Sequence, residues 1–133
     1  MTQEQKDILL KDLCARLPYG VKIDNMGVPS MLTSINNRYR IIVENGEVDK
    51  EPRLDVLEIE DCKPYLFPFS SMTDEQKREL NNLVEESVFQ ILHSEDGNPQ
   101  PQIPMDWYNK NHFDYRGLIP MGLANDATGK NIY

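Results

Sequence analysis

No apolar run in the 133-residue sequence approaches the roughly 20 residues of a membrane-spanning helix. Cysteine is scarce: Cys14 and Cys62 stand far apart, in no CxxC pair. That argues against a disulfide framework or a zinc finger and suits a reducing compartment. Basic residues are outnumbered, with Lys plus Arg at 14 against 22 Asp plus Glu, a net charge of −8. A broad basic face for duplex nucleic acid is therefore not expected. The opening residues, MTQEQKDILLKDLCARL, are too polar for a signal peptide. No GxSxG, HExxH, P-loop or GxGxxG motif occurs, and the Gly117–Gly122 pair lacks the strand-then-helix setting of a phosphate loop. These absences leave an acidic, cytoplasmic single domain with no membrane attachment and no expected cofactor or metal. Its length lets it bury about two thirds of its unfolded surface without staples.

What is present reads as an α+β domain. Thr2 with Gln5 forms a capping-box pattern, and Ile8, Leu9, Leu13 and Leu17 recur at helical spacing with Cys14 beside them. This predicts a helix over about 3–16 within an N-terminal segment 1–17, ended by Pro18 and Gly20. Lys6, Asp7, Lys11 and Asp12 fall on its opposite, solvent face, and Cys14 is expected to be a small buried hydrophobe. Short alternating runs over 21–61 predict an antiparallel meander of three to four strands. The clearest has Tyr39, Ile41 and Val43 on one face and Arg38 and Arg40 on the other, before the hairpin dipeptide Asn45-Gly46. Between 53 and 61 the apolar parity changes, which suggests a bulge or a strand covered on both faces. Thr73 and Gln76 open a second helix over 74–93 with Leu80, Leu83, Val84, Val88, Ile91 and Leu92 as its stripe, and His93 at its end. Residues 105–133 hold short helical segments, one capped by Asp106 and one by Asp114, and a polar tail from Asn125. The expected architecture is a small antiparallel sheet packed on two main helices, with a short helical C-terminal segment.

Two groups of residues stand out. The first is acidic: residues 44–61 carry eight acidic and two basic side chains. Glu47, Asp49, Glu51, Glu58 and Glu60 form a candidate surface for a basic protein partner, or a solvated face that aids solubility. The spacing from Glu44 to Asp55 does not match a calcium loop. The second is aromatic and polar: Tyr65, Phe67, Trp107, Tyr108, His112, Asp114, Tyr115 and Arg116. In a cleft, His112 oriented by Asp114 can act as a general base while Arg116 holds an anion. The plainer alternative makes Asp114 a helix cap, Arg116 an ion-pair partner and the aromatics a seal over the sheet.

The stretches LLKDLCARLPYGVK (9–22), KPYLFPFSSMT (63–73) and WYNKNHFDYRGLIPMGLANDAT (107–128) together resemble a family of small uncharacterised proteins encoded by phages and prophage-like elements of anaerobic gut bacteria. The stretch 23–62 is the least matched. Phe67 stands where the family's connector often has Arg, and Pro120 where its tail usually continues with charged residues. The resemblance implies a phage accessory protein inside a bacterial host cell and transfers no catalytic residue. Three functions follow as expectations. The first is a non-enzymatic protein that binds a host or phage protein through the acidic or aromatic surface. The second is a nucleotide-type ligand binder acting against host defence through Arg116, Tyr115, Tyr65 and Trp107. The third is a small hydrolase using His112 and Asp114.

Overall fold

The structure, a computed structural model, describes residues 1–45, 51–92 and 105–133, with side chains except those of 87–92. It is a small α+β fold. Helix α1 spans Gln3–Arg16, and four antiparallel strands follow: β1 (Lys22–Asn25), β2 (Val28–Ile35), β3 (Ile41–Asn45) and β4 (Arg53–Leu57). The sheet order is β1-β2-β3-β4, a plain meander. Strand β5 (Tyr65–Leu66), helix α2 (Asp74–Leu92), helix α3 (Met105–Lys110) and strand β6 (Asn125–Asp126) complete it. No helix among the described residues is long and apolar enough to cross a membrane.

The capping boxes set both helix starts. Thr2 Oγ1 accepts from Gln5 N at 3.1 Å while Gln5 Oε1 accepts from Thr2 N at 2.9 Å. Thr73 and Gln76 repeat the exchange at 3.1 and 2.9 Å. Each satisfies two otherwise unpaired first-turn amides.

The sheet is strongly curled. Asn25 in β1 donates from Nδ2 to Asp55 Oδ2 in β4 at 2.9 Å, so the first and last strands approach each other across the open side. Asp24 N donates to Lys63 O at 2.9 Å, and Ile23 bridges Pro64, so the chain leaving β4 returns along the outer edge of β1. Ile23, Leu32, Ile41 and Val43 fill the concave side with Leu9, Leu13, Cys62, Leu66, Leu118 and Leu123.

Several expectations are corrected. The parity change after Val56 is neither a bulge nor a doubly covered strand: β4 ends at Leu57, and Ile59 opens a 3-10 turn. The register shift lies in β2, between Leu32 and Ser34. Tyr39 sits in the β2–β3 turn at φ 60°, exposed, and β3 begins only at Ile41. Asn45 closes β3, while Gly46 and His93 lie outside the described residues. Phe113–Ile119 is not helical; Asp114 instead caps a turn, accepting from Leu118 N and Ile119 N at 2.8 and 2.9 Å. The tail is no loose end. β6 pairs in parallel with β5, and Ala127 is buried. No α2 side chain up to residue 86 is fully buried; Leu80 and Leu83 are half-covered and Val84 is exposed.

The stripe of α1 is rotated from its expected position. Leu9, Asp12, Leu13 and Arg16 are its buried residues, and Cys14 is exposed. Cys62 is the buried thiol; its Sγ donates to Glu58 O at 3.3 Å, and burial, with Asp61 and Glu58 nearby, pushes its pKa up to about 12. Thiolate is the reacting form. Native protein at neutral pH should therefore take up one equivalent of iodoacetamide, at Cys14, and a second only on unfolding. Peptide mapping that finds Cys62 labelled in the native state would contradict this placement.

Candidate functional site

The aromatic and polar residues singled out in the sequence come together, but as a packed clasp. Strand β5 runs beside the C-terminal segment through backbone hydrogen bonds. Phe67 N donates to His112 O (2.8 Å), Asp114 N to Phe67 O (2.9 Å), Asn125 N to Pro64 O (2.9 Å) and Ala127 N to Leu66 O (2.8 Å). The Trp107 ring stacks on Phe113 at 5.5 Å and 11°. Its Nε1 donates to Glu79 Oε1 at 3.1 Å, a tie between α3 and α2. Tyr108 packs against Phe69 and Tyr115 at 5.4 and 5.8 Å. Phe67 contacts Phe113 and Tyr133. Such offset and tilted pairs suit ring quadrupoles and bury large apolar area.

Beneath the clasp lies a charged centre. Asp12 and Arg16 have no exposed side-chain surface. Arg16 Nε donates to Asp12 Oδ2 at 2.8 Å, and Arg116 Nε donates to Asp12 Oδ1 at 3.1 Å, so one carboxylate serves two guanidinium groups. Arg16 Nη2 also donates to Phe113 O at 2.6 Å. Both guanidinium groups lie over the Tyr115 ring, at 5.1 and 4.9 Å from its centroid. The Tyr115 hydroxyl donates to Asn109 Oδ1 at 2.9 Å and accepts from Arg116 Nη2 at 3.1 Å. Asp12, expected on the solvent face, is thus the centre of the cluster: the fully buried Arg16 guanidinium demands a nearby carboxylate, and the partly exposed Arg116 shares it. Its sequence signal is the i, i+4 pair Asp12–Arg16 interleaved with Leu9 and Leu13 on one helix face.

His112 and Asp114 do not form a dyad. Both Asp114 oxygens accept backbone amides. His112 is buried at φ 62°, stacked on Tyr133 at 3.7 Å and 11°, and its Nδ1 has no hydrogen-bond partner among the described residues. Burial, with Arg16 and Lys22 near by, lowers its pKa to about 4. The Tyr133 hydroxyl accepts from Lys22 N and donates to Tyr65 O, at 2.9 and 2.8 Å, and burial raises its pKa. Lys22 Nζ donates to Ile132 O at 2.8 Å. Trp107 and Arg116, required by the nucleotide reading, are engaged within the clasp.

The acidic group is arranged differently. Glu51, Glu58 and Glu60 are exposed, whereas Glu47 and Asp49 lie outside the described residues. Glu58 faces Arg40 at 3.4 Å and Glu60 pairs with Lys6, which lowers the Glu60 pKa through that hydrogen bond and charge. Beside them, β4 presents two apolar side chains that sequence reading did not single out: Leu54 is 62% and Val56 59% exposed. Val56 lies across from Ile42, and Leu54 across from Glu44, which in turn faces exposed Met31 in β2. The period-2 run Leu54–Val56 opposite Ile42 and Glu44 was the available signal. No group of three metal-ligating side chains gathers among the described residues. Comparison with protein-family models, curated proteins and solved structures found no match.

Proposed function

We propose that this is a non-enzymatic protein-binding module whose contact face is the outer side of β2–β4 with its acidic surround. The observation that carries the reading is the exposure of Leu54 and Val56 on an outer strand, set among Glu44, Glu51 and Glu58. Paired apolar side chains left in water on a sheet face, rimmed by carboxylates that outnumber the cations Arg40 and Arg53, suit a partner that is apolar at its centre and basic at its edge. The clasp residues serve this function by holding the sheet and C-terminal segment in one body. The resemblance of residues 9–22, 63–73 and 107–128 supports a phage accessory role inside a bacterial host cell, with a host or phage protein as partner.

The test is affinity purification from phage-infected host cells with tagged wild type and the Leu54→Ser/Val56→Ser variant. Wild type should retain a stoichiometric protein that salt weakens, and the variant should lose it at unchanged melting temperature. Equal retention by both forms, or a co-purifying nucleotide in place of a protein, would overturn the reading.

A further inference from the structure

The two outer strands of the curled sheet do not end alike. The outer edge of β1 is occupied, through Asp24 N to Lys63 O and the Ile23–Pro64 bridge. Strand β4 pairs with β3 on one side and, among the described residues, has no strand against its other edge. Along the seam between β4 and the β1–β2 turn lie two hollows, of about 350 and about 500 Å³. They share Asn25, Met26 and Leu57, so they adjoin beside the Asn25–Asp55 bond. One is walled by Arg53, Asp55 and Val56, the other by Asp24, Glu60, Asp61 and Lys63, so four carboxylates face two cations along the seam. Their shared rim is Met26, 98% exposed and held at φ 52° in the two-residue Met26-Gly27 turn. That turn geometry favours Asn or Gly; a methionine there leaves a flexible apolar side chain in solvent at the rim of the groove, at a conformational cost.

We infer that the seam between β4 and the β1–β2 turn binds an extended, basic segment of the partner protein, which adds as a strand to the edge of β4 that no described strand occupies. This rests on the protein-binding reading above and names the form of the partner. An unpaired strand edge supplies backbone donors and acceptors in the spacing an incoming strand needs. Alternate side chains of that strand would then meet the carboxylates of Asp61, of Asp24, which already accepts from Gly27 N, and of Glu60 in place of Lys6, together with the apolar surface of Met26 and Val56. Lysine and arginine on the incoming strand complement those carboxylates, and acidic segments are repelled.

The experiment is selection of a displayed library of random peptides, about ten residues long to span a strand, on the wild-type protein. The most enriched peptide is then titrated into isotope-labelled protein and followed by amide NMR. Enriched sequences should alternate basic with apolar residues, and shifts should concentrate at 53–57 and 24–28. Affinity should fall at least about tenfold in Glu60→Lys/Asp61→Lys. Met26→Asn should weaken binding while raising the melting temperature by ~2–5 °C, because asparagine relieves the turn. That opposite movement separates an anchor from a merely structural residue. No enrichment of basic peptides overturns the proposal. So do shifts confined to Met31 and Thr33 on the outer sheet face, although these leave the protein-binding reading standing. A partner captured from cells whose retention Met26→Asn and Glu60→Lys/Asp61→Lys do not alter likewise overturns the seam and spares that reading.

Discussion

Replacing Asp12 by alanine should lower the free energy of unfolding by about 3–5 kcal/mol, read from urea denaturation at neutral pH. The carboxylate accepts from Arg16 at one oxygen and from Arg116 at the other. Arg16 is fully enclosed and cannot turn to water when its partner is removed. Its Nη1 already has no partner among the described residues, and its remaining bond, to Phe113 O, carries no compensating charge. The expected loss is a large share of the roughly 5–15 kcal/mol that holds a domain of this size. The cause is a stranded charge rather than a lost attraction, and a second variant separates the two. In Asp12→Leu combined with Arg16→Met, no enclosed charge is left alone, since Arg116 is partly exposed and can reach solvent. That double variant should recover most of the loss, as apolar replacement of buried ion pairs commonly does. An Asp12→Ala loss below about 1 kcal/mol, the size of an exposed ion pair, would mean that the cluster is open to water.

The same cluster shows where sequence reading stops. Capping boxes identify the starts of α1 and α2, because Thr2–Gln5 and Thr73–Gln76 bond within four residues. The meander is legible for a related reason: its pairings are between neighbours in sequence, and Ile41 and Val43 share a buried face. The burial of Asp12 has no local signature, because its second partner, Arg116, is 104 residues away. Helical periodicity counts Ile8, Cys14 and Leu17 as apolar and Asp12 as polar, whereas the fold rotates the helix to bury the charge pair. The tail is illegible for the same reason. A two-residue parallel pairing with β5, and a tyrosine hydroxyl bonded to Tyr65 O 68 residues away, leave no local pattern.

The candidate sites divide along this line. The residues densest in chemical possibility, from Trp107 to Arg116, are spent on holding the C-terminal segment against β5 and α1. Their aromatic content is what such a clasp requires, because short elements gain little from backbone pairing alone. Among the described acidic residues Glu51, Glu58 and Glu60 keep their exposure, and Glu58 and Glu60 meet cations at the surface, where pairing is weak and screened. The clasp and the proposed contact surface are thus built from different chemistry, one buried and committed, the other open.

Acidification should weaken the fold through His112, by about 3 kcal/mol between pH 7.5 and pH 4. The imidazole is buried, stacked on Tyr133 and near Arg16 and Lys22, and its pKa falls to about 4 from an ordinary value of 6.5. The unfolded chain therefore binds this proton more readily than the folded one throughout that interval. Stability is complete above about pH 6.5 and is lost as the pH falls toward 4. Carboxylates also titrate near the lower limit, so the decisive quantity is the difference between wild type and His112→Asn. Asparagine tolerates the left-handed backbone that His112 adopts at φ 62°, so the variant keeps the turn while removing the titrating ring. Loss of the Tyr133 stack lowers its stability at neutral pH. Its stability should nevertheless decline less than that of wild type between pH 6.5 and 4. A His112 imidazole proton resonance titrating near pH 4 in wild type would locate the same event directly. A midpoint near 6.5, with parallel stability profiles for the two proteins, would place His112 in water and contradict its stacking on Tyr133.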